Sequence, residues 1–328
     1  MGGKRGSMIH AIALCGPTAS GKTALSVKVA KRLGCEIISC DSMQLYRGMD
    51  IGTAKVRKDE TLGVPHHMID ILEPWEDFSV SDYRERALGC AEEITARGKI
   101  PFFVGGTGLY IDSLTRAPLS RVPESDPALL GHYQEIAERE GGKEELHARL
   151  TEIDPESAVA IHKNNVRRVI RALILYDMTG RTKSVLDRES RAVPADISVG
   201  LVTLLFHRRE TLYERVDRRV DEMLRAGLED EVRTLIASGA LQEDSTAAQA
   251  IGYKEFSGYL RGECTREEAA DAVRLATRHY AKRQLTWFRA EKDAMPLYTD
   301  TEDGVPKDAD ALTEELISLY QTYFANNH

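Results

Sequence analysis

The sequence has no long hydrophobic run, few aromatic residues and few cysteines. Its longest apolar segments fall short of the ~18 residues that a membrane-spanning helix needs, and the polar N-terminus has no hydrophobic region typical of a signal peptide. The five cysteines, an odd number, include no C-x-x-C pair, which argues against a disulfide framework or a zinc site. These absences argue against a membrane protein and favour the reducing cytoplasm.

Positive charge is scarce as well. The chain has 44 Lys and Arg against 52 Asp and Glu, a net charge of −8. Net charge alone argues against a nucleic-acid partner, but such binding depends on local clusters of Lys and Arg. The 328 residues, of which 42% are apolar, indicate an ordinary globular protein with one large α/β domain or two smaller domains.

Short apolar runs alternate with helical patterns along much of the chain. The runs that predict strands are 9–15, 36–40, 67–72, 100–104 and 197–206. Helices are predicted at 23–33, 81–97, 209–226, 229–238, 251–261, 266–290 and 309–325. The segment 126–187 has helical composition and no convincing strand. This alternation predicts a parallel sheet, with residues 8–117 and 196–328 forming an α/β core and 118–195 a mainly helical insertion domain.

A phosphate-binding loop follows the first predicted strand. It matches G-x-x-x-x-G-K-[ST] and consists of Gly16, Pro17, Thr18, Ala19, Ser20, Gly21, Lys22 and Thr23. Such a P-loop turns successive backbone N–H groups toward phosphate oxygens at a helix N-terminus. We expect Lys22 to reach the outer phosphate and Thr23 to offer its hydroxyl to Mg²⁺. The core is therefore expected to be P-loop NTPase-like, although such loops also hold diphosphate leaving groups.

Two further segments follow predicted strands and should reach the same crevice, because ligands of parallel sheets bind at the carboxyl ends of strands. Asp41 directly follows the second run and is interpreted as a general base, a magnesium ligand or a cap of the next turn. Residues 105–110, GGTGLY, are interpreted as a tight strand-to-helix turn or as a site that offers the Thr107 hydroxyl.

Three arginine clusters stand out in this acidic protein. Arg167, Arg168 and Arg171 lie in one helical segment of the insertion, and five arginines crowd residues 208–219. On the predicted helix 266–290, helical geometry gathers Arg274, Arg278, Lys282 and Arg289 into one stripe. Each cluster alone is typical of a solvated face, but three together favour a polyanionic partner.

Six strings resemble those of the bacterial tRNA dimethylallyltransferases, also called tRNA isopentenyltransferases, and in this order they are highly specific. They are GPTASGKT (16–23), DSMQLYRGMDIGTAK (41–55), PHHMID (65–70), VGGTGLY (104–110), QAIGYKE (249–255) and YAKRQLTWFR (280–289). The resemblance implies transfer of a dimethylallyl group from dimethylallyl diphosphate, with Mg²⁺ assisting. The acceptor would be the exocyclic amine of the adenine next to the anticodon on its 3′ side.

The resemblance also implies residue roles. The P-loop would hold the diphosphate together with Arg215 and Arg219, Asp41 would act as general base, and Thr107 would position the adenine. The implied tRNA contacts are Asp41, Ser42, Met43, Gln44, Thr107, Arg167, Arg168, Arg171, Gln249, Ala250, Ile251, Gly252, Tyr253 and Lys254. The partners would then be the anticodon stem-loop of tRNA and the donor. We expect a cytoplasmic monomer with no obligate protein partner and no membrane contact.

Three positions depart from the family pattern, and two other functions compete. Asn165 stands where Asp is usual, while Leu130 and His279 stand where Arg is common. These departures bear on individual tRNA contacts and not on the reaction. A small-molecule or nucleotide kinase fits the P-loop and sheet but would not need the last two strings. A GTPase-like switch would need an N/T-K-x-D motif, which the sequence lacks.

Overall fold

The computed structural model describes residues 8–115, 126–192 and 197–327. Within them, six parallel strands form one sheet in the order β3-β2-β4-β1-β5-β6. The strands are β1 (Ile9–Cys15), β2 (Cys35–Cys40), β3 (His66–His67), β4 (Ile100–Gly105), β5 (Ile197–Leu205) and β6 (Met295–Tyr298). The predicted fold class, a P-loop-type parallel sheet flanked by helices, is confirmed.

Helices cover both faces of this sheet. Around the sheet they are α1 (Lys22–Leu33), α2 (Val80–Ala96), α3 (Gly108–Thr115), α9 (Arg209–Ala226), α10 (Leu228–Ala237), α11 (Tyr253–Leu260), α12 (Arg266–Ala290) and α13 (Ala309–Asn327). Because the strands are buried on both sides, they read as continuous apolar runs. In β1, Ile12 and Leu14 pack with α1 and α13, whereas Ala11 and Ala13 belong to the core on the other face.

A second compact unit is helical and has a core of its own. Its helices are α4 (Pro127–Glu138), α5 (Gly142–Ile153), α6 (Pro155–Ala160), α7 (Val166–Thr179) and α8 (Lys183–Ala192). Asp154 caps α6 by accepting the Ser157 N–H and also accepts the Ser184 N–H of α8 at 2.9 Å. The predicted domain boundaries, at 117/118 and 195/196, lie outside the described residues and remain predictions.

One predicted strand is shorter in the structure, and one strand was not predicted. The strand predicted at 67–72 is β3, His66–His67, and shares only His67 with the prediction, because Met68 and Asp70 adopt left-handed backbone angles, φ 61° and 55°, that end it. The strand β6 was not predicted, since it has four residues and contains Pro296. This strand lies at the edge of the sheet. Proline is tolerated in edge strands, because one side of such a strand makes no ladder hydrogen bonds. No helix within the described residues is long and apolar enough to cross a membrane.

Candidate active site

The carboxyl ends of three neighbouring strands bring the predicted site together. In the sheet register Cys15 of β1 and Cys40 of β2 both lie beside Gly105 of β4. The P-loop, Asp41 and the turn at Gly106 therefore start side by side. They border a cavity of about 390 Å³ that is also lined by residues of α9, α12 and the segment before α11.

The P-loop curls between β1 and α1 as its sequence predicts. Ala19 and Gly21 have positive φ angles of 61° and 90°. The Lys22 ammonium donates to the carbonyls of Gly16 and Pro17 at 2.9 and 2.8 Å. Burial, and then the nearby charge of Arg219, lowers the pKa of Lys22 to about 8, while Asp41 partly offsets both effects.

Two arginines of α9 add positive charge here. Arg219 lines the cavity and donates to the Thr53 carbonyl at 3.4 Å, but its buried Nε has no partner in the structure described. Arg215 lies beside the P-loop, since a Cβ on Gly21 would come within 3.1 Å of its guanidinium. Burial lowers the pKa of both side chains. Neither has an ion pair among the described residues, and the nearby charge of Asp41 offsets the effect of burial on the pKa of Arg219 only in part. The predicted diphosphate ligands therefore form a concentration of positive charge that is only partly balanced.

Asp41 and Thr107 meet next to this charge. The Asp41 Oδ1 accepts the Met43 N–H at 3.0 Å, so the capping contact exists. Thr107 accepts the Ser42 N–H at 3.1 Å through its hydroxyl, and its own N–H donates to the Cys40 carbonyl at 3.1 Å. Tyr280 of α12 forms a hydrogen bond with Thr107. Burial, together with the charge of Asp41, raises the pKa of the Tyr280 hydroxyl. Asp41 and Tyr280 line the cavity, and Thr107 lies directly behind them, bonded to Ser42 and Tyr280.

The glycines of the GGTGLY turn are explained by packing. A Cβ on Gly105 would lie 2.2 Å from the Cys40 carbonyl oxygen, and one on Gly108 would lie 2.6 Å from the Trp287 ring. The tight-turn interpretation and the site interpretation are therefore compatible, because close packing positions the threonine between the glycines.

The predicted tRNA segments contain both cavity-lining and internally bonded residues. Gln249, Ala250 and Ile251 line the cavity, and so do Ser42, Met43 and Gln44. The Gln44 amide, however, donates to the carbonyls of Thr53 and Ala54 and accepts the Ser39 hydroxyl. Gly252 begins α11 with φ 97°, and Lys254 is exposed.

Tyr253 requires a correction. Its side chain is fully buried and cannot contact RNA directly. Its hydroxyl donates to Glu231 Oε1 at 2.6 Å, and its ring blocks any side chain at Gly52, where a Cβ would come within 2.5 Å. Glu231 also accepts the N–H groups of Asp50, Ile51 and Gly52 at 2.9, 2.8 and 3.1 Å. Sequence reasoning missed Glu231, because an acidic residue in the first turn of a helix is ordinary.

The arginine stripe of α12 also requires a correction. Arg274 donates to Asp221 of α9 at 2.7 Å, and Arg278 binds both carboxylate oxygens of Asp217. Arg289 donates to the Phe206 carbonyl at 2.8 Å. Arg274 and Arg278 thus pair α12 with α9, and Arg289 binds the backbone that follows β5. Only Lys282, the fourth member of the predicted stripe, is exposed without such a contact among the described residues, so the stripe as a whole is not the free polyanion-binding face that the spacing predicted.

In the helical unit, Arg167, Arg168 and Arg171 are exposed on α7. Arg167 and Arg171 line a groove together with Lys143, and its apolar floor includes Ile170 and Ile174. Asn165, one of the departures from the family pattern, precedes α7 without capping it through its side chain.

Similar proteins share this sequence and fold. The family models described as IPP transferase and Isopentenyl transferase match residues 44–291 and 9–70. A tRNA dimethylallyltransferase of Halalkalibacterium halodurans is 47% identical over 279 residues, which cover 85% of this chain and 87% of that protein. Another, of Bacillus velezensis, is 49% identical over 280 residues, again 85% and 87%.

Solved structures agree. The full-length tRNA isopentenylpyrophosphate transferase of Bacillus halodurans has a TM-score of 0.70 and 40% identity, and the match covers 98% of this chain and 100% of that chain. A eukaryotic dimethylallyltransferase described as acting on tRNA has a TM-score of 0.79 and 27% identity, with coverage of 97% and 80%.

Proposed function

The chain belongs to the tRNA dimethylallyltransferase family, and we propose that it transfers a dimethylallyl group from dimethylallyl diphosphate to tRNA. The acceptor is the exocyclic amine of the adenine adjacent to the anticodon on its 3′ side. The bond between the allylic carbon and oxygen breaks, and its electron pair leaves with diphosphate. The amine lone pair forms the new carbon–nitrogen bond, and the Asp41 carboxylate accepts the proton.

The cations at the P-loop, which have no ion pair among the described residues, carry this proposal. Lys22 donates only to backbone carbonyls and the Ser20 hydroxyl, and Arg219 only to the Thr53 carbonyl, in the part of the chain that is described. Asp41 is near enough to offset part of this charge, but a desolvated cation that is only partly balanced is still unfavourable, so the site is suited to a polyanion. Positive groups fixed where a leaving group gains charge lower the barrier to its departure.

The remaining lining suits the two organic groups. Ile37, Val56, Ile69 and Val104 give the cavity apolar surface for a five-carbon chain. Asp41 uses one oxygen to cap its own turn, which leaves the other for the amine. An adenine must leave its stack to reach that oxygen, and Thr107 would position it.

Mg²⁺ is the proposed cofactor. No group of three or more His, Cys, Asp or Glu among the described residues could hold a metal. Thr23 lines the cavity, and its hydroxyl has no hydrogen-bond partner among the described residues. One protein oxygen with phosphate oxygens and waters is a set that suits Mg²⁺. When bound, the ion would neutralise charge on the diphosphate.

We further propose that the exposed arginines of α7, Arg167, Arg168 and Arg171, contact the anticodon stem-loop. The enzyme would act as a cytoplasmic monomer without an obligate protein partner. Both statements extend the family assignment and are open to binding and sedimentation measurements.

The decisive experiment incubates the protein with dimethylallyl diphosphate, Mg²⁺ and unmodified tRNA and then weighs the RNA nucleosides. Asp41→Asn keeps the size and capping ability of the side chain but removes the proton acceptor. We expect near-normal binding and melting, with a single-turnover rate lower by roughly 10²–10⁴-fold. A rate of Asp41→Asn within a few-fold of wild type would contradict the general-base role. Recovery of the lost rate by added Mg²⁺ would instead indicate that Asp41 is a metal ligand. Transfer of phosphate from ATP by the wild-type protein, without prenyl transfer, would favour a kinase.

A further inference from the structure

Gln284 of α12 joins two loops of the site. Its side chain is only 7% exposed. The Oε1 atom accepts the N–H of Thr18 in the P-loop at 2.8 Å, and the Nε2 atom donates to the carbonyl of Gly106 at 2.8 Å. Gly106 lies 178 residues from Gln284 in the chain and directly before Thr107.

An amide is the side chain that fits this position. One end of the side chain must accept a hydrogen bond from a backbone N–H, and the other must donate one to a backbone carbonyl. A carboxylate can only accept, and an aliphatic chain can do neither. Gly106 is shaped for the contact, because a Cβ there would lie 2.3 Å from Gln284 Nε2. The P-loop follows β1 and the Gly106 turn follows β4, which are neighbouring strands.

We propose that Gln284 is a positioning residue that fixes the spacing between the diphosphate loop and the adenine-side turn. This inference rests on the proposed function, in which the P-loop holds the donor and Thr107 positions the acceptor. The rate of bond formation depends steeply on the distance between reacting atoms, and a displacement of about 1 Å can lower it by about 10²-fold. Each substrate would still bind to its own loop, so the effect belongs to the chemical step.

Gln284→Met tests the proposal, because it nearly keeps the volume and removes both hydrogen bonds. We expect the single-turnover rate, with both substrates saturating, to fall by roughly 10- to 100-fold. The affinities for inorganic diphosphate and for tRNA should each stay within about threefold. The matched control is Gln321→Met, an exposed glutamine on α13, which should leave the rate and both affinities unchanged.

A second pair of variants separates positioning from folding. Gly106→Ala should displace the Gln284 amide from the opposite side and lower the rate similarly. In a Gln284→Ala background, where the added methyl has room, Gly106→Ala should lower the rate little further, so the two effects are not additive. The proposal would be overturned by any of three results: additive effects of the two substitutions, a wild-type rate in Gln284→Met, or a loss of rate that is matched by a loss of substrate binding. An inactive wild-type enzyme would instead contradict the proposed function.

Discussion

On one side of helix α9, Arg219 faces the cavity and Arg215 lies beside the P-loop, neither with an ion pair among the described residues. On the other side, Asp217 binds Arg278 of α12. One turn later, Asp221 binds Arg274 of α12. The residues of each set are four apart and so share a face, and the two sets are offset by two residues, or roughly 200°.

The difference separates two uses of charge. Paired, half-exposed charges fix one helix against another at little net gain. Unpaired, buried cations oppose folding and are kept where an anionic ligand supplies the missing charge. A count of arginines in the sequence does not separate these uses. The unpaired arginines of α9 and the paired arginines of α12 look alike until their neighbours in the fold are known.

Of these charged residues, Arg219 should have the largest effect on the reaction. Arg219→Met removes a buried cation of nearly matched length, and we expect the transfer rate to fall by roughly 10²–10³-fold. The melting temperature should stay the same or rise, because a desolvated cation that has no ion pair among the described residues is removed. Steady-state rates and thermal melts measure both. A rate within a few-fold of wild type would place the diphosphate elsewhere.

Lys22 should make diphosphate binding depend on pH. Its pKa, about 8 in the free protein, lies below its ordinary value of 10.5, so the ammonium is largely charged at pH 7 and largely neutral at pH 9. The affinity advantage of wild type over Lys22→Met should therefore shrink by roughly tenfold between these pH values. Calorimetry with inorganic diphosphate tests this, and the ligand's own titration cancels in the comparison. A constant ratio would contradict the assignment.

The exposed arginines of α7 should have an intermediate effect. Reversing Arg167 and Arg168 to Glu should weaken tRNA binding and reduce the slope of log affinity against log salt by about 2, because two phosphate contacts are lost. The matched control reverses Arg149 and Arg188, which are already paired with Asp177 and Glu156. Equal losses in the two double variants would indicate a general charge effect rather than a contact.

The smallest effect is expected at the paired side of α9. Arg278→Ala should lower the free energy of unfolding by less than about 1 kcal/mol, because the ion pair is partly exposed. The transfer rate and tRNA affinity should not change. A clear loss of tRNA affinity in this variant would restore the stripe of α12 as an RNA-binding face.

Local pattern was enough to predict most of the fold. The apolar run 9–15 is strand β1, and the helical patterns 209–226 and 266–290 are α9 and α12. The grouping of Asp41 with Thr107 was also predictable, because carboxyl ends of parallel strands meet at one edge of a sheet. The edge strand β6 was not, since its proline and short length carry no periodic signal.

The supports of the site could not be predicted, because they join residues distant in sequence. Nothing near Glu231 indicates that it accepts three N–H groups of the loop at Asp50. Likewise, the spacing of Arg278 gave its face of the helix correctly, while its partner Asp217 lies 61 residues away. Periodicity predicts which face of a helix a side chain lies on. Only the tertiary structure shows which residue it contacts.

The helical unit has an apolar core of its own. Its core, which includes Tyr133, Leu146 and Leu173, contains no residue of the sheet unit, and the cores on the two faces of the sheet contain none from 126–192. Substitutions that share no partners have additive effects on stability. Substitutions in the core of the helical unit and substitutions in the cores of the sheet unit are therefore expected to change the free energy of unfolding additively.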